Sequence, residues 1–258
     1  MGLLDGKVAL VTGVANKRSI AWGIARAFDR EGAALILPYQ IERFKENLDK
    51  LAPELSKPPV MVEVDVTDDQ ALARLTRAVA DRYEALHILV HSVAHAKSED
   101  MAARFLETSR DGYHFAQDVS AYSLTALTRA VYPQLKAAGR ASVITMTHEG
   151  AVRVMPNYNV MGVAKAALES TVRYLAFDLG HDGIRVNAIS AGPIKTLAAS
   201  GVKGISTALH STVERAPIPE NITTEDVGNA AVFLASPWSE RITGMVLYVD
   251  SGSHIVGY

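Results

Sequence analysis

Cysteine is absent from the 258-residue chain. Without thiols the protein can form no disulfide, no thiolate nucleophile and no Cys-ligated zinc or iron–sulfur site. The sequence also lacks a run of about 20 apolar residues, the length that spans a bilayer. Its first residues, MGLLDGKVALVTG, contain an acid and a glycine where a signal peptide has a long apolar stretch. We therefore expect a cytoplasmic protein without a membrane span.

An excess of charge of either sign is also lacking. The chain has 26 Lys and Arg against 28 Asp and Glu, a formal net charge of −2, and its basic residues are scattered. Nucleic acid is therefore not expected as a partner, because phosphate binding requires a concentrated basic surface. Hydrophobic residues make up 48% of the chain and charged residues 21%, which is typical of a globular protein with a substantial core.

Short apolar strands alternate with helical segments along the whole chain. Such alternation indicates a parallel sheet covered by helices on both faces. We therefore predict an α/β fold, a single Rossmann-type, doubly wound domain of seven parallel strands that spans residues 1–258. The predicted strands are 7–12, 33–39, 60–66, 87–93, 141–147, 185–190 and 245–249, and the predicted helices are 19–31, 41–55, 68–83, 112–138, 159–180 and 224–235.

A segment rich in Thr, Ala, Ser and Gly, residues 196–211, follows the sixth predicted strand and has weak periodicity. Long loops in compact domains are usually functional, and this one follows the carboxyl end of a strand, where doubly wound sheets bind ligands. We expect it to form a substrate lid, because its small side chains offer little apolar area to hold it down.

A turn with a glycine and a hydroxyl residue follows the first strand. Gly13 ends the strand and Ser19 opens the next helix, so backbone N–H groups and a helix dipole could bind a pyrophosphate there. The G-x-G-x-x-G spacing is absent. A tight turn in which Ser19 is only an N-cap is therefore the alternative.

Polar residues also end the second and third strands. Asp65 could accept a hydrogen bond from an adenine amino group, or it could cap the following helix. Gln40 stands where an acid would bind a ribose 2′-hydroxyl and a basic residue a 2′-phosphate. Its neutral amide favours neither strongly, and Arg43 nearby leaves binding of a phosphorylated cofactor open.

Tyr158 and Lys165 are seven residues apart at the start of a predicted helix. That spacing is about two helical turns, so both side chains lie on one face. A lysine beside a phenol or a ribose favours the phenolate and suits the tyrosine to proton transfer at a developing oxyanion. The alternative is a buried tyrosine with an unrelated surface lysine.

The order of these features resembles the short-chain dehydrogenase/reductase superfamily, and within it most closely the NADH-dependent enoyl-acyl-carrier-protein reductases of bacterial fatty-acid synthesis. The resemblance runs from Leu4 to about Gly257. It is carried by Gly13-x5-Ser19-x-Ala21, by HSVA at 91–94, by PNYNVMG-x-AKA at 156–166 and by RVNAISAGPI-x-TLAASG at 185–201.

The resemblance implies a role for individual positions. Gly13, Ser19 and Ile20 would lie at the pyrophosphate, Gln40 at the adenosine ribose, Lys165 at the nicotinamide ribose, and Tyr158 at the thioester carbonyl. Asp65 and Val66 would contact the adenine, Val93 the cofactor, and Ala96 the acyl pocket. The carboxamide and phosphates would be contacted by Ile194, Lys195, Thr196, Leu197 and Ala198. No metal is implied.

Two positions depart from the family pattern. His148 stands at the family's first tyrosine, and His95 replaces a phenylalanine usual after the fourth strand. Both positions border the expected pocket, and imidazole can donate or accept a proton near neutral pH. We count His148 among the candidate catalytic residues and His95 among the substrate contacts. A neutral replacement, recognition of a more polar substrate, and a metal site are the open interpretations.

The resemblance implies an enzyme that uses NADH to reduce the 2,3 double bond of an enoyl thioester, carried on acyl carrier protein or CoA. A different, more polar carbonyl or enoyl substrate is the first alternative, and a nucleotide-binding protein without turnover is the second. The resemblance also implies a homotetramer. We expect six apolar residues of the two long predicted helices to cover both the sheet and a partner helix: Leu124, Leu127, Val131, Leu168, Val172 and Leu175.

Overall fold

The sheet consists of seven parallel strands in the order β3-β2-β1-β4-β5-β6-β7. The structure is a computed structural model that describes residues 2–200 and 204–257. The predicted Rossmann-type α/β fold is confirmed. The strands are β1 (Val8–Val11), β2 (Ala34–Tyr39), β3 (Val60–Glu63), β4 (Ile88–His91), β5 (Ala141–Thr147), β6 (Ile184–Ala191) and β7 (Val246–Val249).

Helices cover both faces of the sheet, and side chains alternate between the two. Ala9 and Val11 of β1 belong to one apolar cluster and Val8 and Leu10 to the other, as the period of two in a strand requires. The helices are α1 (Ile20–Arg30), α2 (Glu42–Leu51), α3 (Asp69–Ala80), α4 (Ser98–Ala102), α5 (Arg110–Gln117), α6 (Ser123–Ala137), α7 (Asn159–Leu179), α8 (Leu197–Ser200), α9 (Ile205–Arg215) and α10 (Thr224–Ala235). Among the described residues, no helix is long and apolar enough to cross a membrane.

The predicted helix over 112–138 begins earlier and is interrupted by a π-helical turn, Asp118–Tyr122. This turn brings the Ser120 hydroxyl to the loop after β4, where it donates to the carbonyl of His95 and accepts from the His95 N–H, both at 3.0 Å. Apolar periodicity carries no signal for such a turn, which often occurs at functional sites.

The expectation of a long loop over 196–211 is wrong for the part that the structure describes. Helix α8 and the beginning of α9 lie within it, while residues 201–203 lie outside the described residues. Ser and Thr in α9 hide the apolar periodicity that would have predicted a helix. The role of the segment as a substrate lid stays a prediction.

The apolar residues expected to face a partner helix are instead covered by the chain itself. Leu124, Leu127, Val131, Leu168 and Val172 are fully buried in the cluster between the sheet and helices α3, α6 and α7, and the half-buried Leu175 packs against it. Any partner surface on these helices must therefore be formed by other side chains.

The carboxyl ends of the parallel strands all lie at one edge of the sheet. Because β1 pairs with both β2 and β4, the strand order reverses between β1 and β4. Ligands of doubly wound sheets bind at this reversal, outside the carboxyl ends. The candidate residues after β1 through β6 are therefore brought to the same edge.

Candidate active site

Gly13 allows the turn after β1 to lie against the end of β4. Its φ angle is +88°, a left-handed conformation that strains any residue with a Cβ. A Cβ at this position would lie 2.0 Å from the carbonyl oxygen of Ser92. Only glycine fits, which leaves an open backbone edge of the kind a pyrophosphate can approach.

Ser19 stabilises the same turn from its other end. Its hydroxyl oxygen accepts hydrogen bonds from the backbone N–H groups of Ala15 at 3.1 Å and Asn16 at 3.0 Å, and it makes no capping bond to α1. The interpretation of Ser19 as only an N-cap is therefore wrong. Within the described chain, the N–H groups of Ile20 and Ala21 have no acceptor, so the positive end of the helix dipole can bind an anion.

Gln40 and Asp65 contact each other across the ends of β2 and β3. The amide of Gln40 donates to Asp65 Oδ2 at 3.0 Å, and Oδ1 accepts from the backbone N–H and hydroxyl of Thr67. Burial raises the pKa of Asp65, but the hydrogen bonds from Thr67 and Gln40 outweigh it and lower the pKa overall. Asp68, not Asp65, caps α3, so Asp65 remains available at the ligand edge.

Lys165 is buried, which excludes the surface-lysine interpretation. Its side chain is only 6% exposed, and Nζ donates to the carbonyl oxygen of Met146 in β5 at 2.8 Å. Burial lowers the pKa of Lys165 to about 8, against the opposing charge of Glu169. The ammonium is thus held below the ligand edge by its hydrogen bond to Met146. Its pKa lies close to neutral pH, so a small further decrease would deprotonate it.

Tyr158 is the residue before α7, with Lys165 about two turns farther along. Its ring packs closely on Gly150, where a Cβ would lie 2.6 Å from the ring carbon Cδ1. Burial raises the pKa of Tyr158. Tyr158 therefore presents a neutral hydroxyl in this structure, because desolvation outweighs the effect by which a neighbouring lysine favours the phenolate.

An apolar cluster lies beside this tyrosine. Its buried members are Ala96, Ala116, Val160, Met161 and Ala164, and Tyr158 packs against it together with Met101. Ala96, the predicted start of the acyl pocket, thus shares a cluster with Tyr158. Met101 and Tyr158 are the partly buried residues of this group, so they are the ones that a hydrocarbon chain could contact.

His148 lies directly against Tyr158, with ring centroids 4.9 Å apart. Its Nδ1 accepts a hydrogen bond from the N–H of Gly150 at 3.0 Å. Burial, followed by the charge of Lys165, lowers the pKa of His148 to about 4. The imidazole is therefore neutral with its proton on Nε2, and a donor stands next to the phenol.

His95 has different surroundings. It is exposed, and its ring meets Phe115 of α5 edge to face at 5.5 Å. The described residues show no ring contact between His95 and His148. The two substitutions therefore belong to different parts of the site, one at Tyr158 and one on the loop after β4. No group of three His, Asp or Glu residues that could hold a metal is found within residues 2–200 and 204–257.

The remaining predicted positions follow β3, β4 and β6. Val66 and Val93 are half-buried, and Lys195 and Leu197 are exposed. Ile194 packs against the core. The buried Thr196 accepts a hydrogen bond from the N–H of Ala199 at 3.0 Å. Ala198 lies in α8. Their contact with a cofactor stays a prediction.

Sequence reasoning assigned no role to His91 at the end of β4. This fully buried imidazole makes hydrogen bonds to the hydroxyls of Thr145 and Ser123, both at 2.8 Å. Burial, with a smaller contribution from Lys165, lowers its pKa to about 3. The sequence signal that could have indicated it is a histidine at the end of the apolar strand ILVH. The ring forms a neutral polar layer beneath the site.

Comparisons with known proteins agree over the whole chain. The family described as enoyl-(acyl carrier protein) reductase matches residues 13–254. The chain is 47% identical to the enoyl-acyl-carrier-protein reductase (NADH) of Aquifex aeolicus, covering 100% of this chain and 94% of that protein. It also resembles a Bacillus cereus enoyl-acyl carrier protein reductase solved with NADP+ and indole naphthyridinone (46% identity, TM-score 0.97, 100% of both chains). A reductase from Anaplasma phagocytophilum in complex with NAD shares 39% identity (TM-score 0.95, 100% of this chain, 97% of that one).

Proposed function

The chain belongs to the enoyl-(acyl carrier protein) reductase family, and we propose that Tyr158 and Lys165 are the residues with which it acts. It is an NADH-dependent oxidoreductase that reduces the 2,3 double bond of enoyl thioesters in fatty-acid synthesis. The observation that supports this proposal most strongly is that Tyr158, a neutral phenol packed against an apolar cluster, stands about two helical turns before the buried Lys165. NADH oxidation on addition of an enoyl thioester tests this function.

The residues present fit a dinucleotide. Gly13 leaves the backbone edge open, and the N–H groups of Ile20 and Ala21 are free within the described residues to bind the pyrophosphate. Gln40 and Asp65 would bind the adenosine end, and Lys165 the nicotinamide ribose. When bound, NADH supplies the hydride that adds to the β-carbon of the enoyl thioester.

Tyr158 stabilises the charge that develops on the thioester carbonyl oxygen. A neutral, half-buried phenol can donate to such an oxyanion, and partial desolvation strengthens that hydrogen bond because the local dielectric is lower than in water. Lys165 holds a positive charge below the same edge. The buried cluster that contains Ala96 and Met161 excludes water beside the hydroxyl, and its partly buried neighbours Met101 and Tyr158 would contact the acyl chain.

His148 supplies a second donor next to Tyr158. Because Nδ1 accepts from Gly150, the proton is on Nε2, which has no acceptor within residues 2–200 and 204–257 and can donate to the same carbonyl oxygen. This assigns the departure from the family pattern to the catalytic centre. The alternative, a different polar substrate, has no support from the contacts of His95, which meets the apolar ring of Phe115.

Substitution of His148 tests that role. We expect His148→Phe to lower kcat/KM for an enoyl thioester about 10-fold, equivalent to about 1.4 kcal/mol, because the donor is lost. His148→Tyr keeps a donor and should change it less than about 3-fold, or roughly 0.7 kcal/mol. His95→Phe is the matched control and should change KM for longer chains without lowering kcat. Equal activity of His148→Phe and the unsubstituted enzyme would refute the role.

The cofactor preference follows from the contact between Gln40 and Asp65. Gln40, at the expected ribose position, offers no positive charge to a 2′-phosphate. The Asp65 carboxylate, which accepts from the Gln40 amide at 3.0 Å, lies beside it at the expected adenine position and repels a phosphate. We expect NADH to bind at least about 10-fold more tightly than NADPH, a difference in binding free energy of roughly 1.4 kcal/mol. Fluorescence titrations with both cofactors measure this, and Asp65→Asn should narrow the difference. NADPH binding as tight as NADH binding would contradict it.

The oligomeric state is a further proposal. Tyr174 and Phe177 of α7 are 72% and 79% exposed and lie near each other on the helix. Neighbouring exposed aromatic side chains indicate a surface that a second copy of the chain covers. We expect light scattering to give the mass of four chains, and Tyr174→Asp combined with Phe177→Asp to give a smaller species. A monomeric unsubstituted protein at micromolar concentration would overturn the proposal.

Acyl carrier protein is the carrier we propose for the substrate, since the similar reductases are named for it. The lid over 196–211 and the cytoplasmic location stay predictions. Hydride transfer to a thioester on either carrier requires the same Tyr158 donor. The identity of the carrier therefore affects how the substrate is bound and does not affect the reduction of the double bond.

A further inference from the structure

Glu169 is an acidic side chain inside α7 and only 8% exposed. Its Oε1 accepts a hydrogen bond from the hydroxyl of Thr147, the last residue of β5, at 2.8 Å. Among the described residues it forms no direct salt bridge within 4.0 Å. A buried carboxylate with one hydroxyl partner is costly unless a positive charge lies nearby.

Lys165 is the nearby positive charge. It lies four residues before Glu169 on the same helix, so the two side chains are neighbours on one face, with Cβ atoms about 6 Å apart. Two adjacent residues of β5 hold them, since Lys165 bonds to the Met146 carbonyl and Glu169 to Thr147. Strand β5 thus fixes the acid and the base in one buried layer.

We propose that Glu169 is a positioning residue that keeps Lys165 protonated below the cofactor-binding edge, with Thr147 fixing the carboxylate in place. The role deepens the proposed function and rests on it for its consequence in turnover. Glu169 does not touch substrate in this assignment, and it acts through Lys165.

The other groups around Lys165 cannot supply the compensating charge. His91 from β4 and His148 after β5 are neutral, because burial lowers the pKa of each to about 3 and about 4. Tyr158 at the start of α7 is a neutral phenol whose pKa burial raises. Tyr248 of β7 also has a raised pKa, from burial first and then from the charges of Glu169 and its other neighbours. Among the described residues, Glu169 is therefore the anion that stabilises the positive charge of Lys165.

The consequence is a dependence on pH. Burial brings the pKa of Lys165 down to about 8 while Glu169 opposes the shift. Removal of the Glu169 charge lowers the pKa of Lys165 further, because the ammonium then loses the charge that stabilises it among the described residues. Lys165 would then be partly deprotonated at neutral pH.

The direct test is the titration of Lys165 by ¹³C NMR in protein labelled at the lysine Cε, with Lys165→Arg identifying the resonance. We expect Glu169→Gln to move the midpoint down by about one pH unit. The amide oxygen of glutamine can still accept the Thr147 hydrogen bond, so the layer keeps its shape. Glu169→Asp, which keeps the charge, should recover most of the shift.

Asp178→Asn is the matched control. It removes one acidic charge from the exposed face of the same helix and should leave the Lys165 midpoint unchanged. The alkaline decline of kcat for enoyl reduction should begin at a lower pH in Glu169→Gln than in the unsubstituted enzyme. In Asp178→Asn it should begin at the same pH as in the unsubstituted enzyme. A Glu169→Gln protein with lower kcat at every pH and an unchanged midpoint would show a merely structural role and overturn the proposal.

The NMR readout requires neither cofactor nor substrate, which separates the two proposals. A lowered midpoint without any enoyl reduction would refute the proposed function and support the role of Glu169; enoyl reduction with an unchanged midpoint would do the reverse. The unsubstituted protein gives a second measurement. Its Lys165 midpoint should not change with salt, because buried charges are weakly screened, and a midpoint that falls as salt rises would place the supporting charge at the surface and contradict the proposal.

Discussion

Tyr158→Phe is expected to lower kcat for enoyl reduction by about 10²–10³-fold, the effect of removing one donor to a developing oxyanion. The phenol is neutral because burial raises its pKa, so the variant loses a donor and no charge. Its ring keeps the contact with Gly150 and the apolar cluster around Ala96. NADH affinity and thermal stability should therefore stay close to those of the unsubstituted enzyme.

Steady-state kinetics and NADH titration of the same preparation make this comparison. Tyr132→Phe is a suitable control, because it removes a tyrosine hydroxyl that bonds to Asp182 away from the site, and its kcat should be unchanged. If Tyr158→Phe kept more than about a tenth of kcat, a loss below 1.4 kcal/mol, Tyr158 would not be the main donor.

Gly13→Ala is expected to weaken NADH binding by on the order of 100-fold, about 2.7 kcal/mol. Two effects combine at this position: the φ angle of +88° is strained for alanine, and the new Cβ would lie 2.0 Å from the Ser92 carbonyl oxygen. The turn must move away from β4, which displaces the N–H groups that would bind the pyrophosphate.

Gly139→Ala separates these two effects. Gly139 also has a positive φ, +66°, but a Cβ there would have no atom within 4 Å. It should cost about 1 kcal/mol of folding stability and leave the NADH dissociation constant unchanged. Calorimetric titration and thermal unfolding of both variants give the comparison. Unchanged NADH affinity in folded Gly13→Ala would show that the turn does not hold the pyrophosphate.

Much of this fold could be predicted from the sequence because strands and helices differ in periodicity. The continuous apolar runs at β1, β4 and β5 and the amphipathic pattern of α1 and α3 predicted a doubly wound sheet. The positions of Gly13, Tyr158 and Lys165 came from motifs with fixed spacing. Such motifs can be found in a sequence because they depend on the local geometry of a turn or a helix, which the spacing of residues determines.

Features that depend on contacts between distant segments could not be predicted in the same way. The π-helical turn at Asp118–Tyr122 joins to His95 through Ser120, and no local pattern reports that contact. The raised pKa of Tyr158 depends on its burial, which the seven-residue spacing to Lys165 does not report. The burial of Glu169 and its hydrogen bond to Thr147 of β5 also join separate segments, and its spacing of four residues from Lys165 does not by itself predict them.

The central claim is that this chain reduces enoyl thioesters with NADH at Tyr158. The most direct measurement mixes the purified protein with NADH and crotonyl-CoA or an enoyl-acyl carrier protein, and follows loss of NADH together with the mass of the thioester. We predict one NADH consumed for each thioester that gains two hydrogens, with the rate almost abolished in Tyr158→Phe. Binding of NADH without reduction of any enoyl thioester, or oxidation of alcohols with NAD in its place, would contradict the account.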